Sequence, residues 1–431
     1  MSTLAVTGGR VLRPDMSVDY ADILVDTDSG TIEELSDPGE IDGDQQLDAA
    51  GGFVVPGLVN AHTHVAMTLF RGNADDKPLD AWLQEDIWPV EAELQAEDVR
   101  AGTALGIAEM IRSGTTAFAD MYFFMPEVAD VVEEAGLRAR LGHGSITVGK
   151  DDDAAHEDFE HALEFAREHD GRGDGRIKTM FTPHSLTTVD EAFYREYVPE
   201  AKAEGIPIHF HANETVDEVE PIVAEYDERP LEYADGLELL AEDSFIAHGV
   251  HVDDQEIELL ADRGTAVVHC PASNMKLASG MAPVQKMLDS GVRVGLGTDG
   301  AASNNDLDMF DEMRDAAMLG KLAADDASAV AAPTVVEMAT AGSADAIGFD
   351  SGRLEPGANA DLAVIDLDAE HLTPQHDLVS HLAYAVRGSD VRHTVCDGTV
   401  LMCDRELQTL DLDEVIEAAS TQAEELFARA N

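Results

Sequence analysis

Two imidazoles one residue apart, His62 and His64, close the apolar segment of PGLVNAHTHVAMTLFRG. Side chains two positions apart on an extended strand point to one face, so both rings can reach a single cation. Alone, an HxH pair is weak evidence of a metal site. Three further apolar segments end in groups of the same kind: His211 in IPIHFHANET, His248 in SFIAHG and Asp299 in VGLGTDG. Imidazole nitrogens with a carboxylate suit Zn²⁺, Fe²⁺ or Mn²⁺ and leave a position for water, as catalytic rather than structural sites require. Such a cation lowers the pKa of bound water from about 15.7 toward about 7, which points to hydrolysis at neutral pH.

These groups need elements to position them. From about residue 115 a short apolar run, a polar loop and a longer helical stretch recur. The strand candidates are TTAFADMY, RARLGHGS, IKTMFTPHS, IPIHFHANE, SFIAHGVHV, TAVVHCPASN and VRVGLGTDG. Continuous apolar strands alternating with helices predict a parallel sheet buried on both faces. The runs end in His64, Asp120, His184, His211, His248, His269 and Asp299. In a (β/α)8 barrel the C-terminal strand ends converge on one mouth, so these side chains would share a pocket. His184 and His269 are read as substrate-facing groups, His269 with the alternative of a core histidine satisfied by backbone. His209 and His251 are read as lying on the alternate face or beyond the strand. His156, His161 and His376, in polar surroundings, are expected to face solvent, and the run Asp151 to Asp153 to be a solvated loop.

Both ends of the chain differ from the middle. LAVTGGRVL, ADILVD, TIEEL and FVVP at the start, and ADLAVIDLD, HTVCDGTVLMC and RELQTLD near the end, read as β segments separated by turn residues. An amphipathic helix from about Leu412 closes the chain.

The 431 residues carry 27 Lys+Arg against 87 Asp+Glu, a formal charge of -60. A phosphate backbone would be repelled by that field, which argues against nucleic acid as a partner. A hydrophobic content of 44% argues against disorder. Dense acidity over a normal core instead suggests a halophilic cytoplasm, where salt screens the self-repulsion. Cys270, Cys396 and Cys403 are odd in number and lack CxxC spacing, so neither a disulfide framework nor a cysteine zinc site is indicated. The start MSTLAVTGGRVL lacks a basic n-region, and no apolar run approaches bilayer length. A cytoplasmic protein without a membrane partner is the expectation.

Segments along nearly the whole chain resemble the amidohydrolase superfamily and, within it, the 5-methylthioadenosine/S-adenosylhomocysteine deaminase family. They are PGLVNAHTHVAMTLFRG, the HxxE of HANET, AHGVHVDDQEIELLADRG, HCPASNMKLASGMAPVQKML, LGTDGAASNNDLDMFDEMR and GRLEPGANADLAVIDLD. The resemblance implies an α/β fold: a (β/α)8 TIM-like barrel over residues 56–355 with a small β-sandwich domain formed from residues 1–55 and 356–431. It implies one divalent metal per subunit, Zn²⁺ ahead of Fe²⁺ or Mn²⁺, held by His62, His64, His211 and Asp299. Lys178 stands at the start of its strand rather than the end, where a bridging lysine would be needed, so a mononuclear site is implied.

The implied reaction converts an adenine nucleoside to its inosine form and releases ammonia. Glu214 would protonate the ring nitrogen, Asp299 would relay the water's proton to the amine, and His248 would polarise the attacking oxygen. Glu91 matches a ribose-binding glutamate, and Trp82, Trp88, Met67 and Leu69 could line the pocket. Relatives that take S-adenosylhomocysteine are expected to present an arginine near the end of GLRARLGHG. His143 stands there, with Arg138 or Arg140 as substitutes, which tilts the expectation toward methylthioadenosine or deoxyadenosine. Family habit suggests a homo-oligomer.

The alternatives are another hydrolase on the same scaffold, namely a deoxyadenosine, adenosine, guanine or cytosine deaminase or a triazine chlorohydrolase, and an inactive scaffold homologue. The HxxE glutamate favours a substrate whose ring nitrogen is protonated, Glu91 favours a nucleoside, and the complete ligand set argues against a dead enzyme.

Overall fold

The computed structural model describes residues 2–430. The apolar runs form eight strands: β1 Leu58–Thr63, β2 Thr115–Tyr122, β3 Arg138–Ser145, β4 in two pieces Ile177–Thr179 and Thr182–Pro183, β5 His209–Ala212, β6 Phe245–His248, β7 Ala266–His269 and β8 Val294–Leu296. Except for Lys178, their residues are all buried, as expected for strands covered on both faces. β1 to β4 pair in parallel in chain order, and so do β5 to β8. Bridges Phe181↔Ile208 and Ser185↔His211 join β4 to β5. The other seam, between β8 and β1, is closed by the Asp299 N–H on His62 O at 3.0 Å and by a reciprocal pair between Asn60 and Thr298. Gly297 makes that seam feasible, since a Cβ there would lie 2.7 Å from His62 O.

Apart from a register shift in β1 between Asn60 and Thr63, where His62 lies, alternation with period two divides the strand side chains. Val59, Ala61, Ala117, Ala119, Met180, Ala266, Val268 and Cys270 fill the barrel lumen, while Phe118, Ala139, Leu141, Ile246 and Val267 pack outward against the helices. Asp151 to Asp153, expected as a loop, instead start the helix Asp152–His169, whose N-terminus Asp151 caps by accepting the Ala154 N–H at 2.9 Å. Carboxylates at a helix N-terminus satisfy its free N–H groups and its dipole.

Both chain ends build the second body. A four-stranded sheet runs Thr31–Ser36, Asp22–Asp26, Thr3–Thr7, Gln45–Asp48. A seven-stranded sheet joins the tail strands Glu406–Leu407, Thr399–Cys403, Val391–Cys396 and Leu362–Asp366 to Gly52–Pro56, Arg10–Leu12 and Val18–Tyr20. Leu4, Val6, Ile23, Val25, Val54, Leu362, Val364 and Val395 form the core between the sheets, giving the expected β-sandwich. From this partition we infer a domain division near residues 55 and 356. The final helix Leu412–Ala430 crosses it: Ala419 and Leu426 join the barrel's apolar cluster and Phe427 meets Phe70 edge to face, 5.9 Å between centroids.

A buried ion pair ties the two bodies together. Arg138 at the start of β3 donates to Asp361 Oδ2 and Asp397 Oδ1, each at 2.8 Å, and the Asp361 side chain is fully buried. Truncating one partner of such a pair leaves a buried charge, so Arg138→Ala should lower the unfolding free energy by about 3–5 kcal/mol. A denaturant midpoint equal to that of the unaltered protein would show that the pair contributes nothing.

Candidate active site

The barrel mouth gathers imidazoles whose orientation is set from behind. His64 Nδ1 lies 2.6 Å from Met121 O, and His211 Nδ1 lies 2.9 Å from His184 O. A carbonyl oxygen only accepts, so these Nδ1 atoms carry the hydrogen and each Nε2 is the nitrogen turned to the centre, with a lone pair for a cation in the neutral ring. His64 Nε2 is 3.4 Å from His211 Nε2 and 3.2 Å from Asp299 Oδ1, and His62 Nε2 is 3.5 Å from the same oxygen. The ligand–ligand edges of a tetrahedral zinc site with bonds of about 2.0–2.1 Å are about 3.3–3.4 Å. His62 Nε2 is buried with no hydrogen-bond partner. The donor atoms of His62, His64 and His211, and those of His62, His248 and Asp299, fall within 4.8 Å of one another. A divalent cation therefore fits this His/Asp constellation.

Asp299 is held so that one oxygen remains available. Its Oδ2 accepts from Ser273 Oγ at 2.7 Å and Ser303 Oγ at 2.8 Å, leaving Oδ1 toward the histidines. His248 and Asp299 adopt left-handed backbone with φ of 73° and 61°. Such conformations are costly for non-glycine residues and persist where a site demands them. Burial presses His62 down to about 4 and His184 to about 3, so both are neutral imidazoles. Burial also opposes charge on His64, but the hydrogen bond and charge of Asp299 outweigh it and raise that ring to about 9, so without a cation its Nε2 holds a proton toward Asp299, and a cation bound there would take that proton's place.

Beside this centre opens a cavity of about 990 Å³, lined by His64, Glu91, His184, His211, Glu214, His248 and Asp299 and by apolar side chains that include Met67, Trp82 and Trp88. Glu214 Oε2 is 3.7 Å from His248 Nε2, whose ring is fixed by Asn274 Oδ1 at 3.0 Å from Nδ1. Desolvation raises the pKa of both Glu214 and Glu91. Tyr122 donates to Glu91 Oε1 at 2.7 Å. The strained loop after β5 is pinned twice. The Glu214 N–H donates to Glu218 Oε2 at 2.8 Å, and Asn213 donates to the fully buried Glu256, which also takes Arg229.

The expected site residues thus assemble, with four corrections. His143 does not line the cavity. β3 turns Gly142 and Gly144 inward and sends His143 outward with Ala139 and Leu141, where it meets Asp158 Oδ1 at 2.7 Å. Arg138 and Arg140 do not replace it, since both sit at the opposite end of the strand; Arg140 is spent on Ile347 O and Thr179 O. His269 is buried on the outer face of β7 beside Val267, outside the lining, with neither ring nitrogen hydrogen-bonded. Leu69 packs in the apolar cluster rather than on the cavity wall. His209 shares a face with His211, being two residues away, and lies 2.9 Å from His62 Nδ1. His251, hydrogen-bonded to Ser279 O at 2.7 Å, is structural as expected. Sequence reading missed Tyr122, Glu218, Glu256 and Lys150. Lys150 is the only Lys or Arg among the lining residues and pairs with Asp158 Oδ2 at 2.5 Å.

Residues 53–401 match the Amidohydrolase family, and the chain belongs to it. A 5-methylthioadenosine/S-adenosylhomocysteine deaminase from Haloarcula marismortui is 69% identical over 430 residues, covering 100% of each chain. A 5'-deoxyadenosine deaminase from Methanosarcina acetivorans is 45% identical over 432 residues, again covering 100% of each. Among solved structures, an adenosine deaminase from Xanthomonas campestris with bound zinc is 37% identical and superposes with a TM-score of 0.94 over 99% of both chains.

The Glu218 support carries a pH signature. Burial raises this carboxyl to about 8, against an ordinary value of 4.5. Between those values the folded chain holds a proton that the unfolded chain has lost, so stability falls as pH rises through the window and levels off above about 8. Glu218→Gln removes that slope. Urea unfolding at pH 6, 7 and 8 should show the variant gaining on the parent with each step, and parallel curves would refute the buried proton.

Proposed function

We propose that this protein is a hydrolytic deaminase that converts 5'-methylthioadenosine, and S-adenosylhomocysteine less readily, to the inosine form with release of ammonia. The observation that carries the reading is the placement of Glu214 at the cavity wall, 3.7 Å from His248 and beside the His/Asp constellation, with Glu91 lining the same cavity. In this reading His62, His64, His211 and Asp299 hold the cation, Zn²⁺ ahead of Fe²⁺ or Mn²⁺. When bound, the cation supplies Lewis-acid activation of water.

The chain's own groups handle the protons. Glu214, whose burial favours the neutral carboxyl, gives its hydrogen to the ring nitrogen beside the amine-bearing carbon. Asp299 Oδ1 takes one proton from water as the water oxygen bonds to that carbon, and passes it to the departing amine. As the C–N bond breaks and ammonia leaves, the remaining hydroxyl proton returns to Glu214 and the carbonyl forms. His248, fixed by Asn274, orients the attacking oxygen. Glu91, steadied by Tyr122, receives the ribose hydroxyls, and His184 stands on the substrate side of His211, 4.6 Å between ring centroids.

The lining supports a preference for a 5' substituent that carries no carboxylate. Lys150 is already paired with Asp158, while Asp80, Asp190, Glu191, Asp217 and Glu225 face the same cavity. A carboxylate on the substrate tail finds little compensation there. The likeness to a 5'-deoxyadenosine deaminase favours that nucleoside as the second reading. The surface charge supports a cytoplasm of high salt as the working environment, and a homo-oligomer rests on the resemblance alone.

Glu214→Gln should keep metal and substrate binding yet lose turnover by at least about 10²-fold; wild-type activity would remove the proposed proton donor. Asp299→Ala should abolish activity together with metal binding. An ultraviolet and ammonia-release assay at high salt, with methylthioadenosine, S-adenosylhomocysteine, 5'-deoxyadenosine, guanine and a chlorotriazine, tests the substrate. Turnover of a chlorotriazine or guanine in preference to every adenine nucleoside would overturn the proposal.

A further inference from the structure

His62 is the one histidine of the centre that does not anchor its Nδ1 on an oxygen. Its Nδ1 faces Nε2 of a second imidazole, His209, at 2.9 Å, and His209 Nδ1 lies 3.0 Å from Phe245 O. His209 is fully buried, two residues before His211 on β5, and lies outside the cavity lining and the proton transfers described above. Phe245 fixes the ring plane as well, stacking on it with centroids 4.1 Å apart and planes at 19°.

The hydrogens in this chain are determined by its far end. The Phe245 carbonyl oxygen only accepts, so His209 Nδ1 carries a hydrogen and the neutral ring leaves Nε2 bare. That lone pair accepts from His62, which places the His62 hydrogen on Nδ1 and leaves His62 Nε2 bare. His62 Nε2 is the buried, unpartnered atom turned toward Asp299 Oδ1. We infer that His209 is a positioning residue for the metal centre: it spans from the backbone of β6 to β1 and fixes the orientation and tautomer of His62, so that Nε2 is offered to the cation. The inference rests on His62 being a ligand, as proposed above. Outer partners of this kind typically contribute about 10–100-fold in metal affinity.

Chelator competition for Zn²⁺ on the full chain at high salt, with bound metal counted per chain, tests this, using four variants. His62→Asn should lose stoichiometric metal. His209→Phe keeps a ring but neither nitrogen, and His209→Asn keeps a donor for Phe245 O but is too short to reach His62; both should bind Zn²⁺ about 10–100-fold more weakly. His209→Gln, which can accept from His62, should recover part of the loss. Cobalt-loaded His209→Asn should show shifted visible absorption bands, which a packing role alone would not produce. If His209→Phe does not fold, His209→Asn decides. Parent-like affinity in a folded His209 variant, with metal lost from His62→Asn, would overturn the role of His209. Metal retained by His62→Asn would instead overturn the ligand reading beneath it.

Discussion

Lone pairs of three imidazoles and a carboxylate oxygen meet at separations of 3.2–3.5 Å in a buried place, an arrangement that repels itself unless positive charge lies between them. Much of the architecture around the mouth serves to hold that arrangement. The histidine Nδ1 atoms are tied back to Met121 O, His184 O, Asn274 and His209, and the second oxygen of Asp299 is taken by two serines. No ring can swing away without breaking a buried or part-buried hydrogen bond. The barrel supplies these anchors because strand ends from different parts of the chain present carbonyls and side chains at one level.

The same constraint explains where strain is stored. His248 and Asp299 occupy left-handed backbone, and so does Asn213 at φ 55°, just before Glu214. Each sits where a strand gives way to a loop and the chain must turn a functional side chain toward the centre. The supports are correspondingly strong: Glu256 is fully buried yet receives Asn213, Arg229 and two backbone N–H groups, those of Leu231 and Asp253. The network keeps Glu214 facing the cavity instead of solvent.

The acidity of the surface and the chemistry of the interior are separate matters. A charge of -60 resides mainly on exposed helices and loops, where it is screened by salt. Carboxylates near the site act through burial, which raises Glu91, Glu214 and Glu218 toward their neutral forms. Salt therefore screens the exposed charges far more than the buried environment of the proposed proton donor.

The sequence by itself made the barrel strands, the β-textured ends and the candidate ligands legible, and its resemblance to the amidohydrolase superfamily implied the sandwich and the proposed ligand set. Apolar runs of strand length ending in His or Asp are a local signal, and HxH spacing on a strand needs no tertiary information to place two rings on one face. His62, His64, His211, His248 and Asp299 were legible in that way, whereas the role of Glu214 was implied by the resemblance carried by HANET. What only the tertiary structure decided was facing and distance across the barrel. His143 ends a strand as the others do, but β3 presents glycines to the lumen, and a one-residue change of register separates a substrate contact from a packing histidine. His209 needed no more than the same period-two rule to share a face with His211, yet its partner His62 lies 147 positions away. Tyr122, Lys150, Glu218 and Glu256 gain their roles from contacts between loops that carry no pattern in the chain. Local periodicity fixes what a strand can present; the closure of the barrel decides which of those groups meet.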